Sequence, residues 1–136
     1  MLKFYYERKS YRNDILFITF ISTYKCNFKC PYCFETEKSL DIDYEKIKLL
    51  KLYFKKTLKY IKYFQFGIFG GEPLIRWNIL VDLLDYIKNL QKKYNFLFDT
   101  VITTNGYLLN EKIINSLIYK YNCKSLQVTI DVNENI

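Results

Sequence analysis

The chain has 136 residues, half of them apolar and 19% aromatic, with a formal net charge of +7 and no histidine. That length suits one domain with a modest core, and the apolar content excludes a disordered tail. The missing histidine removes Ser-His and Cys-His nucleophilic pairs, His-containing zinc sites and the commonest general base.

No internal repeat or low-complexity segment is present. The longest apolar run, Ile15 to Ile21, is far shorter than the roughly 20 residues of a membrane-spanning helix, so the chain reads as soluble and cytoplasmic with no membrane partner. Three of the four cysteines lie between Cys26 and Cys33. Cysteines so close in sequence staple little together, and metal binding in a reducing compartment is the better reading than a secreted disulfide framework.

After a lead-in over residues 1–14, Ile15 to Ser22 is a continuous apolar and β-branched run, the pattern of a strand buried on both faces. Asp43 is placed to cap a helix in which Ile47, Leu50, Phe54, Leu58 and Ile61 form one apolar stripe. Lys48, Lys51, Lys55, Lys59 and Lys62 follow the same spacing on another side. They are expected to be a solvated helix face rather than a nucleic-acid surface, since no aromatic stacking platform stands apart from the core aromatics.

A second strand is predicted at Tyr63 to Phe69. A second helix follows, capped by Asn78, with Leu80, Leu84, Ile87, Leu90 and Tyr94 as its stripe. The third strand is predicted at Phe96 to Thr104. Asn110 starts a third helix with Ile113, Ile114, Leu117 and Tyr121 inward, and Leu126 to Ile130 is the fourth strand. Strands alternating with amphipathic helices imply an α/β fold with a parallel sheet, either a TIM-type barrel or an open doubly wound sheet. In both, function gathers at the C-terminal ends of the strands.

That rule selects Thr23 to Ile42, Gly70 to Pro73, Asn105-Gly106 and Asp131. Both prolines and three of the four glycines fall in these segments. The connection after the first strand runs about 20 residues, where about 2 to 6 is usual, so something must hold it in shape. Cys26, Cys30 and Cys33 bring three thiolates into that loop, and thiolates select iron-sulfur clusters, zinc or monovalent copper. A four-iron cluster normally takes four cysteines, so three would leave one iron open. Cys123 is the other candidate ligand, but it precedes the fourth strand and so belongs at the opposite end of the sheet, roughly 15 Å away for a five-residue strand. It is expected to be a buried cysteine beside the core. Gly70-Gly71-Glu72-Pro73 taken alone is a weak signal, because a glycine pair ending a strand is often only a turn. Two residues without Cβ nevertheless let backbone groups approach a ligand, and a carboxylate there accepts hydrogen bonds from an ammonium group.

The pattern Cys26-x3-Cys30-x2-Cys33, with aromatic Tyr32 before the last cysteine and a following Gly70-Gly71-Glu72-Pro73, resembles the signature of the radical S-adenosylmethionine superfamily. The resemblance implies a partial (β/α)6 TIM-like barrel, with about four parallel strands present and residues 15–136 forming a core domain that is incomplete at its C-terminal side. It implies a [4Fe-4S] cluster on Cys26, Cys30 and Cys33, whose open iron chelates S-adenosylmethionine. One electron then cleaves the sulfonium to a 5'-deoxyadenosyl radical that takes a hydrogen atom from substrate. Tyr32, Gly70, Gly71, Glu72, Pro73, Asn105 and Thr129 are the implied cofactor-binding residues, and Asp131 is the candidate near cofactor or substrate. Asn105-Gly106 reads equally well as a plain turn with Gly106 left-handed, and Val132 stands where the family pattern has glycine.

Leu126 to Asp131 with the GGEP-like loop also resembles the peptide- and protein-modifying branch with SPASM-type extensions. This implies a peptide or protein substrate and a reductant such as flavodoxin or ferredoxin. Two other readings stay open: a non-catalytic iron-sulfur or zinc-binding module, and an inactive truncated remnant.

Overall fold

The computed structural model describes residues 13–35 and 40–130. Residues 1–12 of the lead-in and the candidate Asp131 lie outside the described residues. Four strands, β1 (Ile15–Ile21), β2 (Tyr63–Phe69), β3 (Leu97–Thr104) and β4 (Cys123–Val128), form one parallel sheet in the order β1-β2-β3-β4. Between them stand the helices α1 (Tyr44–Thr57), α2 (Trp77–Tyr94) and α3 (Glu111–Asn115). A strand order that advances without reversal is that of a barrel segment, since a doubly wound sheet reverses at its switch point. The fold is thus α/β, four parallel strands of a partial TIM-like barrel.

The α1 helix begins where local chemistry places it. Asp43 accepts the Lys46 backbone N–H at 2.8 Å, Glu45 lies in the positive first turn, and Lys55 and Lys56 lie in the negative last one. Its stripe is buried through Ile47, Phe54 and Leu58, the last in a 3-10 turn over Leu58–Tyr60. Lys48, Lys55, Lys59 and Lys62 are exposed, and Lys51 reaches Asp82 of α2 at 2.7 Å. The exposure is as the spacing predicts, but the helix is shorter: it ends at Thr57, so Lys59 lies in the 3-10 turn and Lys62 just before β2.

Asn78 does not cap α2. Helical structure begins earlier, in a 3-10 turn over Pro73–Arg76 that runs into Trp77, and the cap is Glu72, whose carboxylate accepts the Leu74 N–H at 3.0 Å. Pro73, pre-set for the first helical position, makes the early start possible. The predicted stripe is buried through Leu80, Leu84, Ile87 and Leu90, and Ile79 and Leu83 join it.

The fourth strand starts three residues before its predicted position. Asn122 is left-handed (φ 52°), and its side-chain amide donates to the Phe98 carbonyl at 2.8 Å, which ends a π-helical turn over Ser116–Lys120 and lets pairing begin at Cys123 opposite Thr100. A register shift then skips Lys124, which hid the alternation in the sequence.

On the sheet's helix-facing side, Phe20, Phe64, Phe66, Ile68, Phe98 and Ile102 are 5% exposed or less. Phe64 stacks on Phe98 at 5.7 Å and meets Phe54 of α1 at 5.4 Å. Truncating so enclosed a ring to alanine costs about 3 to 5 kcal/mol. The other side of the sheet is different. Phe17 is 59% exposed, and Tyr63 donates to Asp99 at 3.0 Å while Gln65 donates to Tyr63. The expectation that the first strand is buried on both faces is therefore corrected: β1 is covered by helices on one side and faces the polar lumen side on the other.

Candidate functional site

The segment after β1 is a loop with a zipped neck. Thr23 and Asp41 form an antiparallel bridge, the Tyr24 N–H donates to the Leu40 carbonyl at 2.9 Å, and the Ile42 N–H donates to the Ser22 carbonyl at 3.3 Å. The Asp41 carboxylate accepts from the Thr23 hydroxyl and from Lys25 Nζ at 2.6 Å, and Arg76 approaches it at 3.8 Å. The Lys25 ammonium first, then the Thr23 hydroxyl, hold the Asp41 carboxyl below the usual carboxylate range, and burial opposes them only in part. Cys26, Cys30 and Cys33 stand on the loop beyond this neck.

The loop is also docked on the end of β2. The Gly71 N–H donates to the Thr23 carbonyl at 2.9 Å and the Glu72 N–H to the Lys25 carbonyl at 2.8 Å. Close approach of this kind demands glycine. A Cβ on Gly70, whose φ is +148°, would stand 2.4 Å from the Thr23 carbonyl oxygen, and one on Gly71 would stand 2.4 Å from those of both Tyr24 and Lys25. The glycine pair admits the backbone of the cysteine loop.

Glu72 is fully buried. Its Oε1 accepts from the Leu74 N–H and, at 2.8 Å, from the Thr104 hydroxyl, while Oε2 accepts from the Asn105 N–H at 2.8 Å. Three donors satisfy most of a carboxylate's acceptor capacity and leave one lone pair on Oε2. Thr104 in turn accepts the Gly106 N–H at 3.1 Å, and Gly106 is left-handed (φ +79°). Asn105 then reaches across to the cysteine loop, its amide donating to Asn27 Oδ1 at 2.8 Å and facing Cys26 Sγ at 3.7 Å.

These loops enclose a pocket of about 210 Å³, lined by all three cysteines together with Tyr32, Gly70, Gly71, Asn105 and Thr129. Eight of the ten implied metal- and cofactor-site residues therefore meet in one place. Glu72 and Pro73 lie behind its wall, and Thr129 is tied to it by an N–H donated to the Thr104 carbonyl at 3.1 Å. Residues not singled out beforehand include Tyr24, Phe28, Phe34 and Glu35 of the cysteine loop and Phe69, Thr103 and Thr104 of the strand ends. The signal for Phe69, Thr103 and Thr104 was available, since each ends a strand on the side where function gathers. Phe28 lies inside the Thr23 to Ile42 segment that the same rule selects, but its side chain is placed by an edge-on contact with Tyr107 at 5.7 Å, from another loop.

None of the cysteines is in a disulfide. Among the described residues, no three His, Cys, Asp or Glu side chains lie close enough to share one metal ion. Three thiolates lining one cavity can each ligate a different iron of a polynuclear cluster. The donor set fits an iron-sulfur cluster with one iron open. Cys123 begins β4 at the opposite end of the sheet, half-buried, and burial pushes its thiol pKa up. It lies too far along the strand to join the set, though it is less enclosed than expected.

No helix among the described residues is long and apolar enough to cross a membrane. The family model described as the Radical SAM superfamily matches residues 20–134. Among curated proteins, the chain is 31% identical over 77% of its length to the radical SAM cyclopropyl synthase TigE of Paramaledivibacter caminithermalis, covering 25% of that protein. It is 32% identical over 78% of its length to a GTP 3',8-cyclase of Clostridium perfringens, covering 32% of it. An uncharacterised protein of Methanocaldococcus jannaschii is 35% identical over 67% of the chain, which covers 30% of that relative. The chain thus spans about a quarter to a third of the length of these relatives.

Proposed function

Since the chain belongs to the radical SAM superfamily, we propose that its pocket is the cofactor half of a radical enzyme, with Cys26, Cys30 and Cys33 holding a [4Fe-4S] cluster and S-adenosylmethionine chelated at the open iron. The carrying observation is the meeting of the three cysteines with Gly70, Gly71, Asn105 and Thr129 around one cavity. When bound, the cluster supplies the electron that cleaves the sulfonium and yields a 5'-deoxyadenosyl radical.

The chain's own residues do the rest. Gly70 and Gly71 bring backbone without a Cβ to the cavity wall, where a ligand can approach it closely. Glu72 acts from behind that wall by fixing the loop that carries Asn105. Tyr32, 62% exposed at the rim, is the aromatic surface for a flat ring, and Thr129 lines the side nearest β4. Asp131 is proposed near substrate on the resemblance alone.

A peptide or protein side chain is the proposed substrate class, on the resemblance of Leu126 to Asp131 to the peptide-modifying branch. The relatives include both a cyclopropyl synthase and GTP cyclases, so they do not choose between classes. A flavodoxin- or ferredoxin-type reductant, a cytoplasmic location and a core domain over residues 15–136 belong to the same proposal.

The test is anaerobic reconstitution followed by electron paramagnetic resonance of the reduced protein with and without S-adenosylmethionine, and assay of 5'-deoxyadenosine release. A spectrum indifferent to saturating cofactor would leave a cluster-binding module without the cofactor chemistry.

A further inference from the structure

The Asn105 side chain has an orientation that its neighbours determine. Its Oδ1 lies 3.0 Å from the backbone nitrogen of Tyr107, and a backbone N–H only donates. The other end of the amide is therefore the NH2 group. That end lies 2.8 Å from Asn27 Oδ1 and 3.7 Å from Cys26 Sγ. The Phe28 N–H faces the same sulfur at 3.3 Å.

As a thiol, Cys26 also points toward Asn27 Oδ1, at 3.9 Å. Ligation to iron removes the thiol proton, so the sulfur becomes an acceptor only, and the two N–H groups facing it are then correctly poled. Asn105 itself is anchored through its backbone, whose N–H is held by the buried Glu72 carboxylate at 2.8 Å. A donor on a rigid, buried support gives a defined field at the sulfur, and such hydrogen bonds stabilise the more negative, reduced state of a cluster.

We propose that Asn105 is a positioning residue that donates a hydrogen bond to the Cys26 thiolate and thereby raises the reduction potential of the cluster, with Glu72 as the support that aims it. This rests on the cluster reading of the pocket. It assigns Asn105 to the metal's ligand rather than to S-adenosylmethionine.

The experiment is a potentiometric titration of the reconstituted 136-residue chain without S-adenosylmethionine, with iron content measured on every sample. Asn105→Ser keeps an oxygen for the Tyr107 N–H but is too short to reach Cys26, and Asn105→Leu fills the space without a donor. Tyr107→Phe serves as a control, because it changes the same loop but keeps the backbone N–H that holds Asn105 Oδ1 and the ring against Phe28. Both Asn105 variants should hold as much iron as the parent and titrate at a more negative midpoint than it, with Tyr107→Phe close to the parent. An unchanged midpoint in iron-loaded Asn105 variants would overturn the proposal, as would an equal negative shift in Tyr107→Phe. Loss of iron from both Asn105 variants would overturn it too, since a tuning donor is dispensable for assembly. Failure of the parent to take up iron would instead overturn the cluster reading itself.

Discussion

Gly71 lies so close beneath Lys25 that a Cβ atom on it would stand 2.4 Å from the Lys25 carbonyl oxygen. The contact is backbone against backbone, so no side-chain rotation relieves it. Gly71→Ala must push the cysteine loop away from the end of β2, breaking the 2.9 Å and 2.8 Å hydrogen bonds that dock it. We expect a stability loss of about 1 to 3 kcal/mol and a marked fall in iron bound after reconstitution. Thermal melts and iron analysis check both, and a variant that melts and loads like the parent would show that the loop is not seated as described.

The cysteines should divide three against one. Reconstituted parent protein is expected to bind about four irons per chain, and Cys26→Ala, Cys30→Ala or Cys33→Ala should each abolish the cluster absorbance. Cys123→Ala should not, because Cys123 opens β4 at the far end of the sheet. Equal loss of iron in Cys123→Ala would reassign the ligand set.

Removing the Glu72 carboxylate strands three donors, one of them the buried Thr104 hydroxyl. Glu72→Ala is expected to lower the unfolding free energy of the metal-free chain by about 3 kcal/mol in urea. Glu72→Gln should fall between, since its amide oxygen replaces one acceptor and its NH2 group cannot receive the Asn105 N–H. Glu72→Ala should also weaken the effect of S-adenosylmethionine on the reduced cluster's spectrum, through movement of the wall behind Gly71. Full stability in the alanine variant would contradict the buried hydrogen-bond set.

Acid should open the neck of the cysteine loop. The folded Asp41 carboxyl is held below its ordinary value of 3.8, first by the Lys25 hydrogen bond and then by that of Thr23. A depressed folded value means that the stabilisation is present above the unfolded value and is lost as pH falls through the folded one. Asp41→Asn should therefore cost up to about 1 kcal/mol at neutral pH, and the gap should close below about pH 4. Melts of metal-free parent and variant across that range decide it, and a gap that widens in acid would reverse the assignment.

Much of the fold was legible because its signals are local. Asp43 and the Lys46 N–H that it caps are three residues apart, the Ile47-Phe54-Leu58 stripe repeats within one helix, and the β2 run matches its strand at both ends. The cysteine spacing is equally local, and so was the open connection that needed a centre to hold it. Helix and strand starts were less so. Asn78 looked like a cap because asparagine commonly is one, but Pro73 and a carboxylate with buried partners elsewhere began the helical run earlier.

Composition and spacing alone carried the alternation of strands and helices, the three thiolates, and the absence of any histidine chemistry, because each depends on neighbours a few residues away. The fate of Glu72 and the aim of Asn105 depended on residues far along the chain. Glu72 meets a hydroxyl 32 residues on, and the Asn105 amide faces a sulfur 79 residues back. A run of apolar residues likewise says nothing of which side a helix will cover, so Phe17 proved to be exposed only once the sheet was assembled. A carboxylate's partners, like the open side of a strand, are set by which loops stack at the strand ends, and that stacking follows from the order of the parallel strands rather than from any local pattern.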